Sequence, residues 1–344
     1  MRACVVAGAG NLRIENIEER ALKTGEVRLA LAYGGICGSD LHYYRHGRVA
    51  NSIVYDPMVL GHEFSATVVE VAPGSALKPG DKVAVNPSKP CGVCEYCRRN
   101  DSHLCQNMRF MGSAARRPHE MGGFNERPVV NEWQCIAVPA DTDLRVLALC
   151  EPYAVALHGV SRAGDIRGLE VLVTGAGPIG ILVALAARQA GAARVVITDI
   201  VDGALRKAAQ IAGAIPVNVS TPEGIAQVEE LCGDRVTVVY EASGAPQAFA
   251  LAMNCIRKKG TFVQVGFMPP DAQINTAPVL IKELSMTGAY RFSYEFNEAV
   301  RRVVSGEVDL SAMLTASYTF DDVRVAMDAA ADKQNHVKVT LEFA

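Results

Sequence analysis

The sequence predicts an α/β protein of two domains, one β-rich and one a doubly wound parallel sheet, and three observations carry that prediction. The chain has 344 residues, more than a single hydrophobic core usually reaches. Its first 150 residues hold short β-type runs broken by Gly and Pro, among them "EVRLALAYGG", "FSATVVEVAPG" and "DKVAVNPS". From about Arg162 strand-like runs alternate with Ala- and Leu-rich helical segments, which implies a parallel sheet covered on both faces.

In the second half the order begins with "EVLVTGAG", an apolar run into glycines, then the helical "PIGILVALAARQAGA", then "RVVITD". "VTVVYEASG", "GTFVQVG" and "LSMTGAY" supply further strands. The tail reads as two helices, "FNEAVRRVVSGEVDL" and "DDVRVAMDAAADK", closed by the strand-like "HVKVTLEF". No internal repeat, low-complexity tract or long flexible linker interrupts this pattern.

"VTGAGPIG" matches G-x-G-x-x-G through Gly175, Gly177 and Gly180, with Pro178 and Ile179 inside the motif. It follows a strand, opens a helix, and precedes a second strand ending in Asp199, nineteen residues past Gly180. That context predicts a dinucleotide site. The glycines permit the turn, the close approach of a pyrophosphate and tight helix–strand packing, while the helix N-terminus offers free N–H groups to the phosphates. Asp199 is suited to the adenosine ribose hydroxyls and favours NAD over NADP, with Arg206 placed to soften the preference. Val265 and Gly266, at the end of "GTFVQVG", join the expected cofactor set. The competing reading is a glycine-rich turn that binds nothing.

Composition narrows the partners. Hydrophobic residues make up 49 % and charged residues 21 %, and the net charge is −3 with scattered Lys and Arg, so neither nucleic acid nor a membrane surface is expected. The N-terminus, soon acidic, does not suit a secretory signal, and the longest uncharged stretch, Val171 to Ala187, carries three glycines and a proline. A reducing cytoplasm is the expected location, where clustered cysteines are metal ligands rather than disulfides.

Four of the ten cysteines, Cys91, Cys94, Cys97 and Cys105, fall in "PCGVCEYCRRNDSHLC" with spacing C-x2-C-x2-C-x7-C. A structural zinc, an iron–sulfur cluster and disulfides compete for them; the spacing favours zinc, since the short bacterial cluster run places its fourth cysteine after three residues. Elsewhere "GGICGSDLHYY" gathers Cys37, Ser39, Asp40 and His42, "LGHEFSATV" gives His62 and Glu63, and "CEPYAVALHG" gives Glu151. Singly each has an ordinary structural explanation. Together Cys37, His62, Glu63 and Glu151 form a candidate catalytic zinc set with an open position.

"GGICGSDLHYY", "LGHE", the cysteine lobe, "EPYAVALHG" and "GAGPIG" stand in the order found in the zinc-dependent medium-chain dehydrogenases, which the whole chain resembles. "VNPSKPCGVCEYC", "MRFMGSA", "PHEMGGF" and "YRFSYEFNEAV" resemble the polyol branch of that family, and within it the members that oxidise a sugar acid. The resemblance implies a GroES-like catalytic domain with an inserted Rossmann domain: residues 1–150, including a zinc lobe over about 86–110, then 151–287, then a return to the catalytic domain over 288–344. It implies two zinc ions per chain, NAD or NADP, and a homodimer or homotetramer. Cys37 and His62 match catalytic ligands, Glu63 and Glu151 match acidic residues bound directly or through water, and the cysteine lobe matches a structural site without catalysis.

The same resemblance implies hydride transfer from the secondary alcohol of a sugar acid or polyol, where a Lewis-acid metal makes a bound hydroxyl acidic enough to react near neutral pH. Ser39 and His42 match a proton relay to solvent; capping of the short helix "SDLHYY" is the other reading of Ser39. Arg291 matches an arginine near substrate and cofactor; Arg116 and Arg117 lie in a loop where substrate contacts are built, with ordinary solvated surface charge as their other reading; Tyr43 could pack against or hydrogen-bond the sugar chain, with wall packing as its other reading. A polyol dehydrogenase without a carboxylate to bind, and a non-catalytic NAD sensor, are the alternatives.

Overall fold

The computed structural model describes residues 1–343 and divides into two units. The first comprises Met1–Glu151, Phe296–Asp332 and the segment beginning at Lys338; the second comprises Pro152–Glu295 and Lys333–Val337. The first division falls one residue from the expected 150/151 boundary. The second lies at 295/296 rather than 287/288, because the segment after the last strand of the parallel sheet stays with that sheet: Ala289 N–H donates to Gln264 O at 2.9 Å.

In the first unit a seven-stranded sheet runs in the order Cys135–Val138, Lys82–Val85, Glu63–Val71, Glu26–Gly35, Lys338–Glu342, Leu314–Thr319, with Val129–Asn131 also paired to Glu26–Gly35. Two of these strands come from the C-terminal tail and are parallel to each other, joined through the helix Val323–Ala331. The strand Arg2–Val6 lies between Leu12–Asn16 and Met58–Val59 in a smaller sheet. Leu29, Leu31, Phe64, Ala66, Phe124 and Leu341 fill the core between these layers. Burying such side chains contributes roughly 1.5–3 kcal/mol each relative to exposure, so the β-rich part does not depend on its polar loops for cohesion.

The second unit holds six strands, all parallel, in the order Ile215–Asn218, Arg194–Asp199, Glu170–Thr174, Val236–Glu241, Thr261–Gln264, Ser285–Gly288. The central strands are apolar through their middles because helices cover both faces, and Val171, Leu172, Val173 and Val239 are fully buried. The strand order reverses direction between Glu170–Thr174 and Val236–Glu241. In open α/β sheets the ligand crevice lies at that point, outside the carboxyl ends of the strands.

Candidate metal centre and dinucleotide cradle

Strand register assembles the candidate metal centre. Gly35 pairs with Glu63 across two antiparallel strands, so the chain leaving Gly35 delivers Cys37 beside His62 and Glu63, from twenty-five residues away. A Cβ on Gly35 would stand 2.4 Å from Glu63 Oε2, a spacing that only glycine allows. The third strand pairs Thr340 with Gly35 and brings Lys338 to the same end. One ligand atom from each of Cys37, His62 and Glu63 lies within 4.8 Å of the others.

The chemistry of this set suits a divalent cation. His62 Nδ1 is buried without a hydrogen-bond partner, 3.9 Å from Asp40 Oδ1. Burial, with the charge of Glu63 adding to it, pushes the Cys37 thiol up to about 12. The thiolate, which is the ligand form, is therefore disfavoured until a cation offsets its desolvation. Thiolate and imidazole together are donors that zinc accepts. Glu63 is held by Lys338, whose Nζ donates to Oε1 and Oε2 at 2.8 and 2.7 Å and to Ile36 O at 3.2 Å. Glu151, in the first turn of the helix Cys150–Ser161, stands outside the three-residue cluster but within electrostatic reach of it. Burial pushes its carboxyl up to about 8, opposed by His62 and reinforced by Glu63 and Cys37.

Around this centre the helix Gly38–His46 begins at Cys37, whose N–H donates to Asp40 Oδ2 at 2.9 Å. Asp40 thus forms the cap, not Ser39, because Cys37 rather than Ser39 has the extended backbone that precedes the first turn. Ser39 hydrogen-bonds the Cys37 side chain, and His42, one turn further, is exposed with its ring 5.5 Å from that of His46. Lys338 was not among the expected site residues, because a lysine in "HVKVTLEF", between His336 and Glu342, reads as a surface position.

Three expected substrate contacts have partners within the protein. Tyr43 is buried in the core and its hydroxyl accepts the Ala114 N–H at 3.1 Å, which is a packing role. Arg116 spends its guanidinium on the carbonyls of Gln106 and Met108, tying down the cysteine lobe. Arg117 pairs with Asp56 at 3.0 Å and stacks on Tyr55. Both arginines are exposed, and each has part of its guanidinium engaged locally. Arg291 lies three residues beyond the strand Ser285–Gly288, at the carboxyl edge of the parallel sheet, with a left-handed backbone (φ +58°) and its guanidinium 4.8 Å from the Tyr290 ring.

In the lobe, the sulfur atoms of Cys91, Cys94, Cys97 and Cys105 all lie within 4.8 Å of one another. Zn–S bonds of about 2.3 Å give tetrahedral sulfur–sulfur edges of about 3.8 Å, compatible with that cluster. A [4Fe–4S] cluster bonds each cysteine to a different iron, and a [2Fe–2S] cluster divides them between two, so either spreads the sulfurs further than a single ion does. The ten cysteines are all free thiols. Backbone N–H groups turn toward the sulfurs: Cys91 N and Asn107 N lie 3.2 and 3.3 Å from Cys105 Sγ. Hydrogen bonds from Val93 and Cys94 bring the Cys91 thiol down to about 6, so it enters a metal site already disposed to ionise.

The glycine motif forms a cradle at the switch point. Gly175 is left-handed (φ +92°), and a Cβ there would meet the Ser243 backbone at 2.8 Å; one on Gly180 would meet Gly175 O at 1.8 Å. Gly177 has no protein atom within 4 Å of its Cβ position, which leaves its outer face open for a phosphate. The helix Pro178–Gln189 starts there, with Pro178 and Ile179 in its first turn, so its free N–H groups point into the same opening. Asp199 Oδ2 accepts the Ala176 N–H at 2.7 Å and Oδ1 accepts those of Ile200 and Val201, fixing the carboxylate at the end of its strand. Val265 and Gly266 both donate to Glu241 O at 2.8 Å, on the far side of the crevice from Gly177 in strand order.

Comparison with known proteins identifies the family. The alcohol dehydrogenase GroES-like domain matches residues 23–140 and the zinc-binding dehydrogenase domain matches residues 178–305. L-idonate 5-dehydrogenase (NAD(P)(+)) of Escherichia coli K12 is 36% identical over 344 residues, 99% of this chain and 98% of that protein. The crystal structure of the E. coli K-12 L-idonate 5-dehydrogenase superimposes with a TM-score of 0.94 at 37% identity, covering 99% of this chain and 98% of that one. Sorbitol dehydrogenase of Gallus gallus is 31% identical over 99% of this chain and 96% of its own length. An E. coli CFT073 alcohol dehydrogenase crystallised with NADH superimposes with a TM-score of 0.89 at 27% identity, over 100% of this chain and 99% of that one. The chain belongs to the zinc-dependent medium-chain alcohol dehydrogenases, in their polyol-dehydrogenase branch.

Proposed function

We propose that the enzyme oxidises L-idonate at C5 to 5-keto-D-gluconate, reversibly, passing the hydride to NAD or NADP and releasing one proton. Likeness along nearly the whole chain to the E. coli enzyme is the observation that carries this reading, and L-idonate 5-dehydrogenase of Vitis vinifera, 31% identical over 98% of this chain, supports it. Sorbitol dehydrogenases and a D-xylulose reductase among the relatives favour a neutral polyol as the second reading. Steady-state kinetics decides between them: kcat/KM for L-idonate above that for sorbitol supports the first, and the reverse order removes it.

In this reading Cys37 and His62 hold the catalytic zinc with Glu63 or Glu151, and Cys91, Cys94, Cys97 and Cys105 hold the structural one. Bound zinc supplies Lewis acidity toward the substrate hydroxyl. The protein does the rest. Ser39 relays the hydroxyl proton, accepting it as its own O–H proton moves on, and His42, exposed one turn along the same helix face, passes a proton to solvent. Burial pushes the Glu151 carboxyl up, so like the Cys37 thiol it would give up its proton readily only once a cation is bound nearby. Gly175, Gly177, Gly180 and the helix start at Pro178 hold the pyrophosphate, and Asp199 accepts the ribose hydroxyls. Arg291 is the arginine for the substrate carboxylate or the cofactor, and Arg116 and Arg117 are weaker candidates because each already has local partners.

A homodimer or homotetramer completes the proposal. Among the described residues the strand Ser285–Gly288 is paired on one side only, and Leu280 (82 % exposed) and Ile281 (72 %), in the helix before it, and Met286, within it, are exposed. A second copy pairing strand to strand would cover both the open ladder and these side chains. Among the described residues no helix is long and apolar enough to cross a membrane, and ten free thiols suit the reducing cytoplasm.

A further inference from the structure

The parallel sheet buries one carboxylate that has no basic partner. Glu241 ends the strand Val236–Glu241 and is fully buried. Its ion-pair role is empty, yet its acceptor capacity is filled. Oε1 accepts the N–H of Ser243 at 2.9 Å, the N–H of Gly244 at 3.0 Å, the hydroxyl of Thr174 at 3.2 Å and the hydroxyl of Ser243. Oε2 accepts the Gly244 N–H at 3.1 Å and the Gln264 side-chain amide at 2.5 Å. A buried carboxylate is costly, and several N–H and O–H donors aimed at it are what make it tolerable.

Those donors belong to three neighbouring strand ends. Thr174 immediately precedes Gly175. Ser243 and Gly244 form the turn against which Gly175 is pressed, closely enough that a Cβ on Gly175 would overlap the Ser243 backbone. Gln264 precedes Val265 and Gly266, which donate their N–H groups to the Glu241 carbonyl, while the Gln264 amide also reaches Gly266 O at 2.8 Å. One side chain therefore ties together the carboxyl ends of the strands that flank the crevice. We infer that Glu241 is a positioning residue for the dinucleotide: it sets the spacing between the glycine turn at Gly175 and the facing turn at Val265–Gly266. The inference rests on the NAD(P) reading above and goes beyond it, since Glu241 is separated from the cofactor by the groups it aligns.

The test is calorimetric titration of the zinc-loaded enzyme with NADH, alongside zinc analysis and thermal melting. Glu241→Ala is expected to raise the Kd for NADH at least about tenfold with zinc content unchanged, because sub-ångström displacement of binding groups is enough for that. Glu241→Gln is expected to recover most of the affinity. It retains Oε1, and its amide can meet Gln264 Oε1, a buried acceptor without a partner, once that side chain turns over. Thr174→Val and Ser243→Ala each remove one donor and serve if the alanine variant does not fold; each is expected to raise Kd by roughly threefold. A wild-type Kd in Glu241→Ala, or in both single-donor variants, overturns the inference even if melting falls. Wild-type enzyme that binds neither NADH nor NADPH overturns the cofactor reading itself, and this inference with it.

Discussion

Replacing Lys338 with Met probes how the metal centre is held when no metal is bound. The ammonium is 3 % exposed, Glu63 is 1 % exposed, and the pair is joined by two hydrogen bonds of 2.7 and 2.8 Å. Met fills nearly the same volume, so the change removes charge rather than packing. Breaking a buried pair from one side leaves its partner uncompensated and costs about 3–5 kcal/mol. With a urea slope of about 3 kcal/mol/M, the unfolding midpoint of the zinc-stripped protein should drop by about 1–1.7 M. In zinc-loaded protein the drop should be smaller, because a cation at Cys37 and His62 then faces Glu63. Adding Glu63→Gln to Lys338→Met in the stripped protein should recover at least half the loss, since removing both charges leaves no orphan. A midpoint shift under about 0.3 M in the single variant, or no recovery in the double, would refute the view that Lys338 neutralises Glu63.

Four other outcomes are expected. Elemental analysis of the purified chain should find two zinc ions, and one would remove one of the two proposed sites. Cys37→Ser should abolish turnover while leaving the Kd for NADH within about twofold of wild type, because the thiol lies in the first unit and the cradle in the second. Gly177→Ala should melt near wild type but lose NADH affinity, since its Cβ meets no protein atom; Gly180→Ala should instead lose about 1–3 kcal/mol of stability, its Cβ falling 1.8 Å from Gly175 O. Glu120 is half-desolvated, which raises its pKa, but ion pairs with Lys89 and Arg109 outweigh this and hold it below the usual carboxylate range. Its stabilisation is therefore present at neutral pH and lost as pH falls below about 4.5, so the deficit of Glu120→Gln in urea unfolding should be largest at pH 7 and close in acid.

What was legible in the sequence, and what was not, follows from where each signal resides. The glycine motif, its helix and Asp199 sit within one strand–helix–strand unit, so spacing alone exposed them and the structure keeps them adjacent. Ile215–Asn218 escaped notice because an edge strand with Pro216 and mostly exposed residues has neither apolar continuity nor alternation. Leu314–Thr319, half-exposed along its length, failed for the same reason. The metal centre depends on non-local register. Cys37 and His62 meet only because Gly35 pairs with Glu63, and Lys338 arrives only because the tail returns as the next strand. Residue types could nominate the ligands, and family resemblance could group them. Neither could reveal the countercharge, because a lysine near the C-terminus reads as surface until the strand carrying it is seen to be interior.

The same distinction applies to the candidate substrate arginines. A guanidinium is suited to a carboxylate wherever it lies, so the sequence of the loop around Arg116 and Arg117 pointed to an acidic substrate with no information about competitors. The structure supplies them: backbone carbonyls for Arg116, Asp56 and the Tyr55 ring for Arg117. Freeing either arginine for a ligand would mean giving up hydrogen bonds already formed. Arg291 differs in kind, since it stands at the carboxyl edge of the parallel sheet on a left-handed backbone that an unconstrained arginine seldom adopts. If a carboxylate is what the enzyme recognises, Arg291→Ala should raise KM for L-idonate at least about tenfold while leaving KM for sorbitol within about twofold, a loss confined to the charged substrate. An equal rise for both substrates would assign Arg291 to the cofactor instead and leave the carboxylate to be recognised by groups other than arginines 116, 117 and 291.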